Sequence, residues 1–361
     1  MPFYRIYAFP RTYIIIKRVD YLDSMCPKVI RSRAPLRIGI AGGGTDVDPY
    51  ASEKGGYVLN TTIDKYAYCT VSPNDEDVVN IRSLDYGVYE ASVDGGPFQY
   101  DGNMDLVKAV MNYFDIHTGL NVFLHSDAPP GSGLGGSSTV IVALLKAFAR
   151  YYGQDMDNYE LADLAYRLER KELGLKGGKQ DQYAATFGGF NAMKFGKDEV
   201  WVNPLGISED TINELQYCSL LCYTGKSRES ANIIDSQMKS FKEGTNEAAL
   251  DAAKYLAKDI GKLLMKGDVV QAGRMLGETW EQKKKFSSKI TNPMIDDMYN
   301  AALKAGAYGG KVSGAGGGGF MYFICQYDRK QAVAKALQKK GGVITDFMFE
   351  PQGAISWSVH Q

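Results

Sequence analysis

The clearest alternation of apolar and polar positions lies in YVLNTTI (57–63) and YAYCTV (66–71), whose period of two and β-branched or aromatic content predict two strands. LRIGI (36–40), VNIRSL, YEASV and NVFLH (121–125) read as further strands, as do GGFNAMKF, VWVNPL and YCSLLCYT. MDLVKAVMNYF (104–114) carries apolar residues at helical spacing, and TVIVALLKAFARYY (139–152) predicts a mostly apolar helix. NYELADLAYRLERKELG (158–174) predicts one amphipathic helix closed by Gly174. From Ser227 to about Lys304 the pattern becomes a series of amphipathic helices. A strand pair around a glycine cluster (307–325), a helix over 329–340 and the strand VITDFMF complete the chain.

The texture changes near residue 215, from a β-rich part to a helix-rich one. Strands and helices do not alternate regularly, so the pattern is α+β with two lobes. There are no tandem repeats and no low-complexity linker.

Composition then narrows the class. The 361 residues are 45% hydrophobic and 23% charged, with a formal net charge of −1, as in an ordinary folded chain. That balance argues against a nucleic-acid partner held by bulk positive charge, while a local basic pocket for a small anion stays open. No apolar run approaches the ~20 residues that span a bilayer, so no membrane partner is expected. The five cysteines (Cys26, Cys69, Cys218, Cys222, Cys325) are scattered, with no Cys/His pair at zinc spacing. They indicate a reduced, cytoplasmic chain with core thiols. Residues 1–30 are aromatic and basic, and their one apolar block, Tyr13 to Ile16, is too short for a signal-peptide core. A peripheral arm or a mis-called start is expected there.

The stretch DAPPGSGLGGSST (127–139) poses the chemical question. GSGLGG fits G-x-G-x-x-G at Gly131, Gly133 and Gly136, but GAGGGG fits it again at Gly314, Gly316 and Gly319. The dinucleotide reading requires a strand turning straight into a βαβ unit, whereas here two prolines intervene and helix follows helix. GKS within YTGKSRES (223–230) lacks the glycine that a phosphate loop of the G-x-x-x-x-G-K-S type needs, since position 220 is Leu. What remains is a strand, a flexible loop and Ser137-Ser138-Thr139 at a helix start. Free N–H groups at that positive helix end suit a phosphate. The same residues also suit a capped helix after a flexible turn.

PPGSGLGGSST resembles the second motif of the GHMP kinases, the superfamily of galacto-, homoserine, mevalonate and phosphomevalonate kinases. APLRIGIAGGGTD (34–46) resembles its first motif and KVSGAGGGGF (311–320) its third, in family order and spacing. The resemblance covers about residues 33 to 350. It implies a two-lobed α+β kinase fold, with a ribosomal-S5-like β/α arrangement in the N-terminal domain (31–215). The C-terminal domain (216–361) would be helix-rich α/β, with the active site between the two. The loop Pro130, Gly131, Ser132, Gly133, Leu134, Gly135, Gly136, Ser137 and Ser138, with Gly314 and Gly316, would then hold the phosphates of ATP. Gly314 to Gly318 also fit a tight hairpin, and the two readings are compatible.

By the same resemblance Asp181, in GGKQDQYAATFGG (177–189), is the base that accepts the acceptor's proton. Arg37 stands where several family members carry a lysine near the transferred phosphate. Arginine suits phosphate oxygens but cannot act as a base. Ser137 and Glu169 would hold Mg²⁺, with Glu172 a rival one turn on. Taken alone, Asp181 also suits a solvated acid at a helix start, the glutamates a solvated helix face, and Arg37 an outward-facing strand residue.

GGGTD together with GGKQDQY resembles the kinases of D-glycero-D-manno-heptose 7-phosphate, with fucokinase-type sugar 1-kinases next by motif. That resemblance implies ATP and a sugar or sugar phosphate as substrates, with Gly43, Gly44, Thr45, Asp46, Lys179 and Gln180 around the acceptor. Thr224, Gly225 and Arg228, in TGKSRESA (224–231), would face the acceptor's own phosphate, although an ordinary capped helix fits that segment too. A mevalonate or homoserine kinase, or a non-catalytic ATP- and sugar-binding regulator, stays open, as does a homodimer.

Overall fold

The computed structural model describes residues 29–359 apart from 86, 94–95 and 227–229. Residues 1–28 of the expected N-terminal arm and Arg228 therefore lie outside the described residues, while Val29 and Ile30 begin a strand. β1 (Val29–Ala41) leads through α1 (Tyr50–Lys54) to β2 (Gly56–Pro73), the hairpin β3 (Val78–Ser83) and β4 (Gly87–Ser92), α2 (Asp105–Tyr113) and β5 (Leu120–Ser126). Three helices, α3 (Gly136–Tyr151), α4 (Asn158–Tyr166) and α5 (Gln180–Phe187), precede the hairpin β6 (Phe190–Phe195) and β7 (Val200–Pro204). α6 (Glu209–Cys218) and β8 (Ser219–Tyr223) open the second part. Helices α7 (Ser230–Lys242), α8 (Glu247–Met265), α9 (Val269–Lys284) and α10 (Pro293–Ala305) follow. β9 (Ala307–Val312), β10 (Phe320–Cys325), α11 (Lys330–Gln338), β11 (Val343–Thr345) and β12 (Ile355–Val359) end the chain.

Two sheets result. The larger runs β12-β1-β2-β5-β3-β4, with β6 and β7 attached to β2, and the smaller runs β11-β8-β10-β9. β2 is one strand where the alternation predicts two. Its pairing with β1 steps from Ile63↔Leu36 to Tyr66↔Pro35, leaving Asp64 and Lys65 as a bulge. On its other edge β2 pairs with β6 before that bulge and with β5 after it. The polar DK break thus marks a change of partner within one strand.

Two further expectations are corrected. The helix predicted over 158–174 ends at Tyr166 and continues as a π-helical turn, Arg167–Glu172. VITDFMF gives only the short β11, and β12, unread in the sequence, crosses back to pair with β1, Val359 opposite Val29. The second sheet begins at Ser219, close to the change of texture at 215, but the chain's last strand belongs to the first sheet.

The apolar face of the larger sheet packs on α2, α3 and α4 through Ile81, Val122, Ile141, Phe148 and Leu161. A second core joins the lobes: Leu36, Ile38 and Leu59 meet Ala257, Ile260 and Leu276 from α8 and α9, and Tyr322 and Ile324 from β10. β1, β9 and β10 are consequently fixed against one another, and the loops leaving them converge at one rim. None of the described helices is long and apolar enough to cross a membrane.

Candidate active site

That rim holds a cavity of about 390 Å³, lined by the glycine loop, β1, the start of α5 and residues from β9 and α9. The loop approaches it through Gly131, Gly133 and Gly135, whose φ values of 72°, 85° and 80° lie in the left-handed region that glycine alone adopts at no steric cost. Gly135 is the N-cap of α3, and no side chain caps that helix. The first amides of α3 are thus left to a ligand at the positive helix end. The capped-helix alternative is not what the structure adopts: Ser137 and Ser138 turn their hydroxyls to Glu169 instead.

The second glycine cluster explains itself by contact. Phe320 N–H donates to the Ser132 carbonyl at 2.8 Å. A β-carbon at Gly319 would stand 2.1 Å from that same oxygen, and one at Gly314 would stand 2.7 Å from the Gly133 carbonyl oxygen. The loop between β9 and β10 is therefore both a hairpin and the platform beneath the first loop. Gly316 serves the hairpin, packed on the Ile290 carbonyl, and does not line the cavity.

Arg37, buried on β1, directs Nε at 2.8 Å and Nη2 at 2.7 Å to a single oxygen of Asp181, and Nη1 at 2.6 Å to the Gly133 carbonyl. Asp181, in the first turn of α5, keeps Oδ2 beside Gly135, where a β-carbon would lie 3.4 Å away. One arginine thus ties the loop, β1 and the carboxylate together at the cavity wall.

Glu169 is fully buried. Its carboxylate accepts hydrogen bonds from Ser137 Oγ, Ser138 Oγ at 2.7 Å and Gln182 Nε2 at 2.6 Å, with Arg170 Nη1 at 3.4 Å. The π-helical turn brings both Glu169 and Arg170 to the head of α3, a use typical of such bulges. Glu172, the rival, instead accepts a hydrogen bond from Tyr100 Oη near the surface.

Asp46 is buried beside this group and accepts hydrogen bonds from Gly44 N at 3.0 Å and Gln180 N at 3.1 Å, the latter anchoring the start of α5. Burial, and next the negative charge of Asp181, raise its pKa above the ordinary carboxylate value, against the pull of those backbone donors.

Arg37, Gly43, Gly44, Asp46, Gln180, Asp181, Gly314 and most of the first loop all line the one cavity. Others of the expected residues do not. Thr45 Oγ1 donates to the Gly42 carbonyl and accepts Tyr57 N–H, an internal turn contact. Lys179 leaves the cavity and donates to the Gly196 carbonyl at 3.3 Å, because one residue along the start of α5 turns the side chain about 100°. Leu134 is buried in the inter-lobe core, and Pro130 stays exposed. Thr224 and Gly225 do not line the cavity, and Thr224 N–H donates to Gly319.

Residues that the sequence did not single out complete the wall: Arg170, Lys176, Gln237, Lys283 and Lys311. Lys311 lay inside the quoted KVSGAGGGGF, and strand alternation from Ser313 was the signal that could have placed it. Lys283 and Gln237 arrive on α9 and α7 by tertiary packing alone.

The family models for the GHMP kinases N terminal domain and GHMP kinases C terminal match residues 104–189 and 260–343. The chain is 39% identical to the D-glycero-alpha-D-manno-heptose 7-phosphate kinase of Campylobacter jejuni, over 92% of this chain and 100% of that protein. It is 29% identical to the L-fucokinase/L-fucose-1-P guanylyltransferase of Bacteroides fragilis, over 86% of this chain but 36% of that protein. A crystal structure of a D-glycero-D-manno-heptose 1-phosphate kinase from Bacteroides thetaiotaomicron superposes with a TM-score of 0.78 at 37% identity, covering 92% of this chain and 100% of that one.

Proposed function

The chain belongs to the GHMP kinases, and we propose that it transfers the γ-phosphate of ATP to the anomeric hydroxyl of D-glycero-D-manno-heptose 7-phosphate, giving the 1,7-bisphosphate for nucleotide-heptose synthesis in the cytoplasm. The observation that carries this reading is the Arg37–Asp181 pair facing an uncapped glycine loop in one cavity. The full-length similarity to a heptose 7-phosphate kinase supports the choice of acceptor.

Phosphoryl transfer asks mainly for positioning and charge stabilisation. The amides at the head of α3 receive the phosphates. Arg37 holds one oxygen of Asp181 and leaves Oδ2 to take the proton of the attacking hydroxyl, while its own fixed charge faces the phosphate in transit. Asp46 anchors the first turn of α5 and with it the base.

Mg²⁺ prefers one or two hard protein oxygens together with phosphates. The serine hydroxyl of Ser137 and the carboxylate of Glu169, already in contact beside the loop, fit that donor set. Bound with nucleotide, the ion would neutralise phosphate charge. Ser138, Gln182 and Arg170 hold the Glu169 carboxylate in place.

ADP release measured with heptose 7-phosphate, free heptose and fucose tests the reading. Turnover confined to the 7-phosphate is expected. Equal or better turnover of a free sugar would replace the acceptor with an unphosphorylated one.

A further inference from the structure

Lys311 is fully buried on β9, with Nζ donating to the Gly39 carbonyl at 2.5 Å. Its charged neighbours are both cations, Lys283 and Arg37, and burial first, then these two, push its pKa well below the ordinary lysine value. The contrast with Lys108 is instructive. That lysine is equally buried but meets Asp101 at 2.5 Å and Asp105 at 3.6 Å. A cation taken out of water without an opposing charge is costly. Lys311 is therefore kept at a cost to the fold, on the wall of the cavity that Asp181 also lines.

Gln180 supplies an independent observation. Its residue is buried and its side-chain Nε2 has no hydrogen-bond partner among the described residues, an arrangement that is costly unless something fills it. Both groups face the same space. A β-carbon at Gly39 would stand 3.4 Å from Gln180 Nε2 and 3.9 Å from Lys311 Nζ, and one at Gly43 would stand 3.6 Å from Gln180 Oε1. The two glycines leave a slot over β1, two residues along the strand from Arg37, and it opens into the cavity.

Resting on the sugar-kinase reading above, we infer that this slot receives an oxygen of the acceptor, held by Gln180 Nε2 and Lys311 Nζ. The same pair serves a sugar hydroxyl or a phosphate oxygen, because both accept hydrogen bonds and both satisfy the orphaned amide. In the proposed function the glycine loop takes the ATP phosphates, so the slot is assigned to the acceptor and not the nucleotide.

Two variants test it with heptose 7-phosphate and free heptose as alternative acceptors. Lys311→Met keeps the length and removes the donor. Gly39→Ala adds a methyl at ordinary contact distance from Gln180, which the free protein accommodates but which occupies the slot. Each is expected to lower kcat/KM for the acceptor by about threefold to tenfold, the loss of one hydrogen bond. The KM for ATP should stay within about twofold, since uniform nucleotide binding is untouched. A loss with both sugars assigns a hydroxyl to the slot, and one confined to heptose 7-phosphate assigns its phosphate. Unchanged acceptor kinetics in both variants, or an ATP KM that rises in step with the acceptor's, would overturn the inference. Wild-type protein that phosphorylates neither sugar would bring down the sugar-kinase reading itself, a result separable from any effect of the variants.

Discussion

Arg37 and Asp181 meet through one oxygen only: Nε and Nη2 of the arginine share Asp181 Oδ1 at 2.8 and 2.7 Å, and Oδ2 is left facing Gly135. A bidentate fork would have occupied both oxygens. The pair sits 144 positions apart in sequence, yet the loop that follows β1 is pinned to the start of α5 by the Asp46 carboxylate. The proposed mechanism gives the two residues separate roles, orientation to Arg37 and proton acceptance to Asp181.

Asp181→Asn preserves the shape and removes the acceptor of the proton. The expected outcome is a fall in kcat of about a hundredfold to ten-thousandfold, with ATP affinity by calorimetry nearly unchanged. A variant with close to full turnover would exclude Asp181 as the base.

Glu169 offers a stability and a metal readout together. Glu169→Ala strands Ser137, Ser138, Gln182 and Arg170 around a buried hole, and should cost about 3–5 kcal/mol in urea unfolding. Glu169→Gln keeps most of the volume, so it should fold but need about tenfold or more Mg²⁺ for half-maximal rate. An unchanged Mg²⁺ requirement in a folded Gln variant would remove Glu169 from the metal site.

Gly319→Ala tests the docking of the two glycine loops. The backbone there is left-handed, with φ of 84°, and the new methyl would lie 2.1 Å from the Ser132 carbonyl oxygen. The left-handed conformation alone costs about 1–2 kcal/mol, and the clash must also displace the phosphate loop. A lowered melting temperature and a raised KM for ATP are both expected. Wild-type values of both would show that the loops are not held by this contact.

Stability against pH reports on Lys311. A lysine with a folded-state pKa below its unfolded value of 10.5 binds its proton less tightly when folded. Stability therefore rises with pH from the lowered pKa up to the unfolded one. Lys311→Met, facing Arg37 and Lys283, removes that slope. The ligand-free variant should gain most over wild type near neutral pH, and the gain should shrink toward 10.5. A gain that stays constant between about pH 7 and about pH 10, above the ordinary range of histidine, would show that Lys311 titrates normally.

The parts of this site that are legible in the sequence are those whose chemistry is local. Gly131, Gly133 and Gly135 announce a loop because only glycine sits easily at their φ values, whereas Asp181 and Glu169 were singled out by the resemblance to the GHMP kinases. Lys179 misled because a single step at a helix start turns a side chain to another face. Lys283 and Arg170 were passed over because nothing local distinguishes a lysine on helix α9, or an arginine in a π-helical turn, from one facing water; Lys311 could be placed only by alternation along β9. β12 escaped for a similar reason: ISWSV is a weak strand by itself and forms because β1 offers it an edge.

The most direct measurement is the proton-coupled ³¹P spectrum of the product formed from Mg-ATP and heptose 7-phosphate. The account predicts a second phosphate resonance split by the anomeric proton, alongside the retained 7-phosphate signal. A new phosphate coupled to any other ring proton, or ATP consumed with no new sugar phosphate, would contradict it.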